Sequence, residues 1–231
     1  MKFCHVSDSH GYFPDLRGDF DFVVHSGDLF PNSNNGRYIN KSRDKKQREI
    51  EFQRSWIRRK SDTIHKWLRS KPLLYCAGNH DFFNPCDLLN ELGVETIDLT
   101  NKSVEYAGYR WYGFPYVNFL VGEWNWELDK NELWQKTQWM MNKISGDTDI
   151  LVAHDPIYGI LDESWGEHIG NNFIQDALTY RETAIKLYLH GHCHESPGFI
   201  RMEELDLSVS NAAYAPRIIE KVDDSWEEVK A

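Results

Sequence analysis

Residues 72–81 read Pro72-Leu73-Leu74-Tyr75-Cys76-Ala77-Gly78-Asn79-His80-Asp81. A short uncharged apolar run bounded by Pro and Gly is the signature of a buried strand. This one ends in an amide, an imidazole and a carboxylate, and polar groups clustered behind a buried strand need partners to offset lost hydration. The same arrangement recurs along the chain. Lys2–Ser7 leads into Asp8-Ser9-His10, and Phe20–Ser26 into Gly27-Asp28. Ile150–Ala153 leads into His154, and Ile185–Leu189 into His190 and Gly191-His192-Cys193-His194. Asp8, His10, Asp28, Asn79, His154, His192 and His194 therefore offer oxygen or imidazole donors at separate strand ends. A single ion needs fewer; two divalent ions about 3.5–4 Å apart, sharing a carboxylate, need about this many. Hard oxygen and borderline imidazole donors suit Mn, Fe, Zn or related ions, and the lack of thiolate clusters argues against a structural zinc.

Working outward, Pro31-Asn32-Ser33-Asn34-Asn35-Gly36 carries turn formers and reads as a loop over the site. From about Lys41 to Ser70 the apolar residues Ile50, Ile57, Ile64, Trp67 and Leu68 recur at helical spacing, which predicts a helix. Asn84-Pro85 predicts the start of a short helix that Gly93 stops. Val94–Asp98, Ser103–Tyr106 and Tyr109–Gly113 read as strands, the last two joined as a hairpin by Ala107-Gly108. Asp129–Lys143 reads as an amphipathic helix, and Phe199–Met202, Leu207–Ser210 and Arg217–Val222 as further strands. The acidic tail beyond Asp223 reads as frayed. Strands alternating with helices and hairpins argue for mixed sheets covered by helices on their outer faces. Nothing marks a linker, so the expectation is one domain over 1–231, with residues 31–70 as a basic loop-plus-helix insertion.

A chain of 231 residues suits one large α/β domain. Its 41% hydrophobic and 27% charged residues are ordinary for a globular protein. No apolar run approaches the roughly 18 residues of a membrane span, and no secretory signal opens the chain. Cys4, Cys76, Cys86 and Cys193 lack framework spacing, which predicts free thiols and a cytoplasmic protein. The net charge of −10 hides an asymmetry, because residues 37–71 hold thirteen Lys or Arg against four acids. Such a field beside a metal site would draw in a phosphate-bearing substrate. The plainer reading is a solvated helix face that balances an acidic body.

At the quoted motifs the sequence resembles the calcineurin-like metallophosphoesterase superfamily. That pattern is D-x-H, G-D, G-N-H-D/E, a lone H and G-H-x-H, and the chain matches it in order between residues 8 and 194. His154-Asp155-Pro156-Ile157-Tyr158-Gly159, the stretch from Gly191 to Gly198 and Tyr112-Gly113-Phe114-Pro115-Tyr116 are similar to the small single-domain metallophosphoesterase-domain-containing (MPPED-like) phosphodiesterases. The resemblance implies a four-layer α/β/β/α sandwich of two mixed sheets and two divalent metal ions, Mn first, with Fe, Zn, Ni or Co as alternatives. It implies that Asp8, His10 and His194 bind one ion, that Asn79, His154 and His192 bind the other, and that Asp28 bridges them. His80 would be catalytic, as general acid to the leaving group or as a phosphate contact.

The implied reaction is phosphodiester hydrolysis by in-line attack of a metal-bound hydroxide. Candidate substrates are a cyclic nucleotide, another nucleotide or a nucleic-acid end, and no membrane partner is expected. Asn79, His80, Arg37 and Tyr158 are the expected substrate contacts, Arg37 because its guanidinium can grip phosphate in a bidentate manner. The same metal core would also serve a phosphomonoesterase or, outside catalysis, a scaffold for a protein partner. The chain departs from the protein Ser/Thr phosphatases, since Leu29-Phe30-Pro31 follows Asp28 where they carry an acidic and basic pair. Asp81 is expected to support the loop or orient a neighbour. His5 and His25 are expected in the core, with Cys193 turned away from the metals by strand alternation.

Overall fold

The computed structural model describes residues 1–33, 43–120, 124–144, 146–180 and 183–230. In the first half of the chain, strands β1 (Lys2–Val6) and β2 (Phe22–His25) are followed by helix α1 (Arg43–Trp67) and β3 (Leu73–Tyr75). Helix α2 (Cys86–Glu91), β4 (Thr96–Asp98), β5 (Ser103–Tyr106) and β6 (Tyr109–Phe114) come next, then the short β7 (Val117–Asn118) and β8 (Glu127–Leu128). The second half holds α3 (Lys130–Lys143), β9 (Ile150–Ala153), the small hairpin β10 (Glu163–Ser164) and β11 (Glu167–His168), and α4 (Asn172–Tyr180). It closes with β12 (Leu187–His190), β13 (Gly198–Met202), β14 (Leu207–Asn211), β15 (Arg217–Val222) and β16 (Ser225–Val229).

Two mixed sheets result, in the orders β16-β15-β1-β2-β3-β4 and β13-β14-β12-β9-β6-β5. Strands β1 to β4 are mutually parallel, as are β14, β12, β9 and β6, while the antiparallel pairings involve β15 and β16 at one end of the first sheet and β13 and β5 at the two edges of the second. Side-chain alternation sorts the cores. Phe3, Phe22, Val24 and Leu74 face Trp111, Ile150, Val152, Leu187 and Leu189 across the sandwich, so the sheets bury their inner faces on each other. Cys4, Val6, Val23, Leu73 and Tyr75 face outward onto Trp56, Ile57, Ile64 and Leu89 of α1 and α2. On the far side Leu151, Ala153 and Tyr188 meet Leu133, Met140, Ile174 and Leu178 of α3 and α4. This is the expected four-layer sandwich.

The local readings have physical causes. Ala107 and Gly108 both take positive φ, 51° and 82°, which is what a two-residue hairpin loop between β5 and β6 requires. Asp129 caps α3 through the N–H groups of Asn131 and Glu132, and Glu132 completes a capping box. Several segments differ from the expectation. The tail beyond Asp223 is not frayed: Val222 pairs with Ser225, and β16 sends Trp226, 1% exposed, into the inter-sheet core against Phe3 and Tyr109. One buried indole outweighs the segment's acidic composition. The short strands β7, β8, β10 and β11 and helix α4 have no counterpart in the sequence pattern; Asn171 Oδ1 caps α4 by accepting from Phe173 and Ile174.

All the motif residues follow the C-terminal ends of parallel strands, from β1, β2 and β3 in one sheet and β9 and β12 in the other. A parallel bridge from Ser7 to Ala213 joins the sheets at that end. His5 ties them from inside, its ring nitrogens 2.8 Å from Ser210 Oγ and 2.9 Å from Ser26 Oγ.

Candidate metal centre

The loops after β1 and β2 zip together beyond their strands. Asp8 N donates to the Gly27 carbonyl at 3.0 Å, His10 N to Asp28 at 2.9 Å and Gly11 N to Leu29 at 2.9 Å. That zipper holds Asp8, His10 and Asp28 at φ of 53°, 43° and 60°, and His192 takes 65°. Positive φ is unfavourable for non-glycine residues, so its concentration here is strain stored where the backbone is over-determined.

Each buried carboxylate spends one oxygen on the backbone and turns the other inward. Asp8 Oδ2 accepts from His192 N at 2.9 Å, and Oδ1 lies 3.0 Å from His194 Nε2. Asp28 Oδ1 accepts from His80 N at 2.8 Å. Its Oδ2 faces Nε2 of His154, His10 and His80 at 3.3, 3.7 and 3.9 Å. Among the described residues, donor atoms come within 4.8 Å of one another in three overlapping groups: Asp8, His10 and His194; His10, Asp28 and His80; Asp8, Asp28 and His154. Asn79 Oδ1 joins the last at 3.0 Å from His154 Nε2. His192 lies outside these groups, with its ring 5.0 Å from that of His154.

Surrounding groups fix the rings. His154 Nδ1 donates to the Ser26 carbonyl at 2.9 Å, which aims Nε2 at Asp28 and Asn79. His25 Nδ1 accepts from Gly27 N at 3.2 Å, so its proton lies on Nε2 beside Ser9 Oγ at 2.8 Å. Burial opposes charge on Asp8, yet the His194 hydrogen bond and His154 hold its carboxyl below the usual range. Asp28 behaves alike, burial being overcome by His154 and His80. Burial also disfavours the His154 imidazolium, but Asp28 and Asp8 raise its pKa to about 10. Burial and then His154 lower His192 to about 3, which leaves it a neutral donor. The two ionised carboxylates make a field that a divalent cation would satisfy in place of the His154 proton, which must leave before Nε2 can donate to a metal.

Several further residues support the site through contacts that no sequence motif marks. Gln53 of α1 is fully buried; its Nε2 donates to the His80 carbonyl at 2.8 Å, and its Oε1 accepts from Phe82 and Phe83 at 2.9 and 3.0 Å. The signal available was a polar residue within the apolar stripe of Ile50, Ile57 and Ile64. Asn32 Oδ1 accepts from His80 Nδ1 at 2.9 Å, and Trp124 stacks on the His80 ring at 3.9 Å. Asn125 N and Nδ2 donate to the carbonyls of Asn79 and Asp81 at 2.9 and 2.8 Å, while Lys46 Nζ of the basic helix donates to Asn125 Oδ1 at 3.0 Å. Tyr158 packs on His168 at 5.5 Å rather than on an imidazole of the cluster. Arg37 lies outside the described residues. Cys193 is turned away, its Sγ donating to the Glu163 carbonyl at 3.0 Å.

With this geometry in view, the family model for calcineurin-like phosphoesterases matches residues 1–196. The chain belongs to the calcineurin-like phosphoesterase family. The family binds divalent metals and acts on phosphate esters, so the protein is a metal-dependent phosphoesterase. Among solved structures it is similar to a dimetal phosphatase from Danio rerio, at 12% identity and a TM-score of 0.52 over 96% of this chain and 93% of that one. It is also similar to an archaeal phosphodiesterase, at 14% identity and a TM-score of 0.46 over 99% of each chain. No curated protein matches the sequence. At these identities the likeness to the Danio rerio structure is one of fold. Among the described residues, no helix is long and apolar enough to cross a membrane.

Proposed function

We propose that this calcineurin-like phosphoesterase is a dinuclear phosphodiesterase. The observation that carries the dinuclear reading is Asp28 Oδ2, one oxygen facing three imidazoles that belong to different strand ends. In this reading Asp8, His10 and His194 would hold one ion, Asn79, His154 and His192 would hold the other, and Asp28, whose Oδ1 already accepts from His80 N, would be the carboxylate common to both. Carboxylate, amide and imidazole donors favour Mn²⁺, with Fe, Zn, Ni or Co as alternatives. When bound, such ions supply a nucleophile from water at neutral pH and neutralise charge on the phosphoryl group.

The chain's own residues do the rest. Asn79 and His80 face the substrate, and the Asn32 bond and the Trp124 stack hold the His80 ring with Nε2 toward the cluster. Burial lowers the pKa of His80 to about 4 against the pull of Asp28, so the ring is neutral at rest. A general-acid role needs the charge of a bound anion to favour the second proton. A phosphate-contact role does not. The diester reading is supported by Tyr214, which packs beside His194 and also borders a neighbouring cleft of about 630 Å³, where this reading puts the second ester substituent. Free thiols at Cys4, Cys76, Cys86 and Cys193 suit a reducing, cytoplasmic setting.

The test is turnover of matched diesters and monoesters by metal-stripped protein to which Mn²⁺ is restored. The reading expects diester hydrolysis that depends on added metal. Monoester hydrolysis alone would favour a phosphomonoesterase, and no turnover of either class would return the protein to a scaffold role.

A further inference from the structure

A cleft of about 630 Å³, lined by none of the candidate ligands themselves, is bordered by two exposed tyrosines, Tyr12 at 68% and Tyr214 at 53%. Single exposed aromatics are ordinary on protein surfaces. These two share one cleft, and Tyr214 packs against two candidate ligands. Tyr12 lies two residues past His10, in a turn where its N–H donates to the Ser9 carbonyl at 2.7 Å. The Tyr214 ring centre is 4.5 Å from that of His194 and 6.0 Å from that of His10. Its backbone sits at φ 54°, pinned on either side: Ala213 N donates to Asn211 Oδ1 at 3.0 Å and Ala215 N to the Ala212 carbonyl at 3.1 Å. A bulky residue held at positive φ, with its ring half in solvent against a histidine, is strain without any gain in core packing.

The cleft's arginines are already engaged. Arg17 Nε pairs with Asp15 at 3.1 Å, and Arg217 pairs with Glu228 and donates to the Asn211 carbonyl. With Lys230 as the cleft's remaining cation, what it offers a ligand is two aromatic faces and one lysine rather than a run of positive charge. A planar ring stacks on such faces, whereas a polyanionic backbone would need free cations. The volume lies within the range of small-molecule sites.

We infer that Tyr12 and Tyr214 form the subsite for a nucleobase carried on one substituent of the phosphodiester. The inference rests on the phosphodiesterase reading for its substrate, but not for its test. Base–aromatic stacking strengthens binding on the order of tenfold or more per base.

The test is calorimetric binding of adenosine 5′-monophosphate and ribose 5-phosphate to the Mn²⁺-loaded protein, with the ratio of their affinities as the readout. The wild-type ratio is expected to be about tenfold or higher. Tyr214→Ala should collapse it toward one, and Tyr12→Ala should lower it. Tyr214→Phe should keep it, because the ring and not the hydroxyl makes the contact. Circular dichroism melts establish that each variant is folded, and Tyr12→Ala alone carries the test if Tyr214→Ala is not. A wild-type ratio near one, or a full ratio in both folded alanine variants, overturns the inference. Turnover of bis(4-nitrophenyl) phosphate separates the two readings. If that diester is hydrolysed while the ratio is one, the subsite fails and the phosphodiesterase stands. If it is not hydrolysed while the ratio is high and falls in the variants, the subsite stands without the activity.

Discussion

The Asp81 carboxylate accepts the backbone N–H of Asp28 at 2.8 Å, across 53 positions of chain. The same oxygen accepts from Gly78 N at 2.8 Å, and its other oxygen accepts from Phe30 N at 3.3 Å. Asp81 thus locks the loop after β2 to the loop after β3, and so sets where Asp28 can point. Burial and the charge of Asp28 push its own pKa up to about 7, against the pull of the Gly78 N–H.

Replacing Asp81 by Asn puts an N–H₂ where a backbone N–H now finds an oxygen. An unsatisfied buried donor costs about 1–3 kcal/mol. Urea denaturation of Asp81→Asn should show a loss in that range, with metal affinity reduced because Asp28 is no longer fixed. Wild-type stability and metal content would remove Asp81 from this role.

His154 reaches from the second sheet to the Ser26 carbonyl of the first, so the cluster exists only when the sheets are packed. Ions that bind the folded state alone must then stabilise it, by about 2.7 kcal/mol at a hundredfold excess over Kd. For a chain of this size that is roughly 5–10 °C in Tm. Thermal melts with Mn²⁺ and with a chelator should differ by this amount. Coincident melts would contradict a site shared between the sheets.

Gln53 holds the backbone of His80, Phe82 and Phe83 from below. Gln53→Leu keeps a helix former but abandons those groups. A displacement of about 1 Å at a reacting group costs on the order of 10²-fold in rate. The variant should therefore show a lowered kcat with near-normal metal content, and an unaltered kcat would show that α1 merely packs.

His80→Ala should lower kcat on alkyl diesters by roughly 10²–10⁴, the usual worth of a positioned acid. Metal content should stay near normal. If the defect shrinks with a 4-nitrophenyl leaving group, His80 supplies a proton; if it is equal for both, His80 contacts phosphate. A full rate on alkyl diesters would exclude both.

The strands, the α1 stripe and the convergence of the five motifs were legible because each has a local signal: alternation, helical spacing, or polar residues behind an apolar run. The positioning groups were not, for a different reason in each case. Gln53 betrays itself only as a polar interruption of an apolar stripe, and β16 only through Trp226. Asn32, Trp124 and Tyr214 act through contacts with His80 or His194 from distant positions, and no local pattern marks such a contact. The basic run divided likewise. Its charge was plain, while the buried Glu49 and Gln53 on the same helix, which tie it to the site, were hidden by that charge.

The central claim is a dinuclear centre organised by Asp28, and elemental analysis tests it most directly. Metal-stripped protein loaded with Mn²⁺ and freed of excess should hold two ions per chain. Folded Asp28→Asn, which loses charge at the shared oxygen, should fail to retain both. Two tightly held ions in the variant, or a single ion in the wild type, would contradict the account.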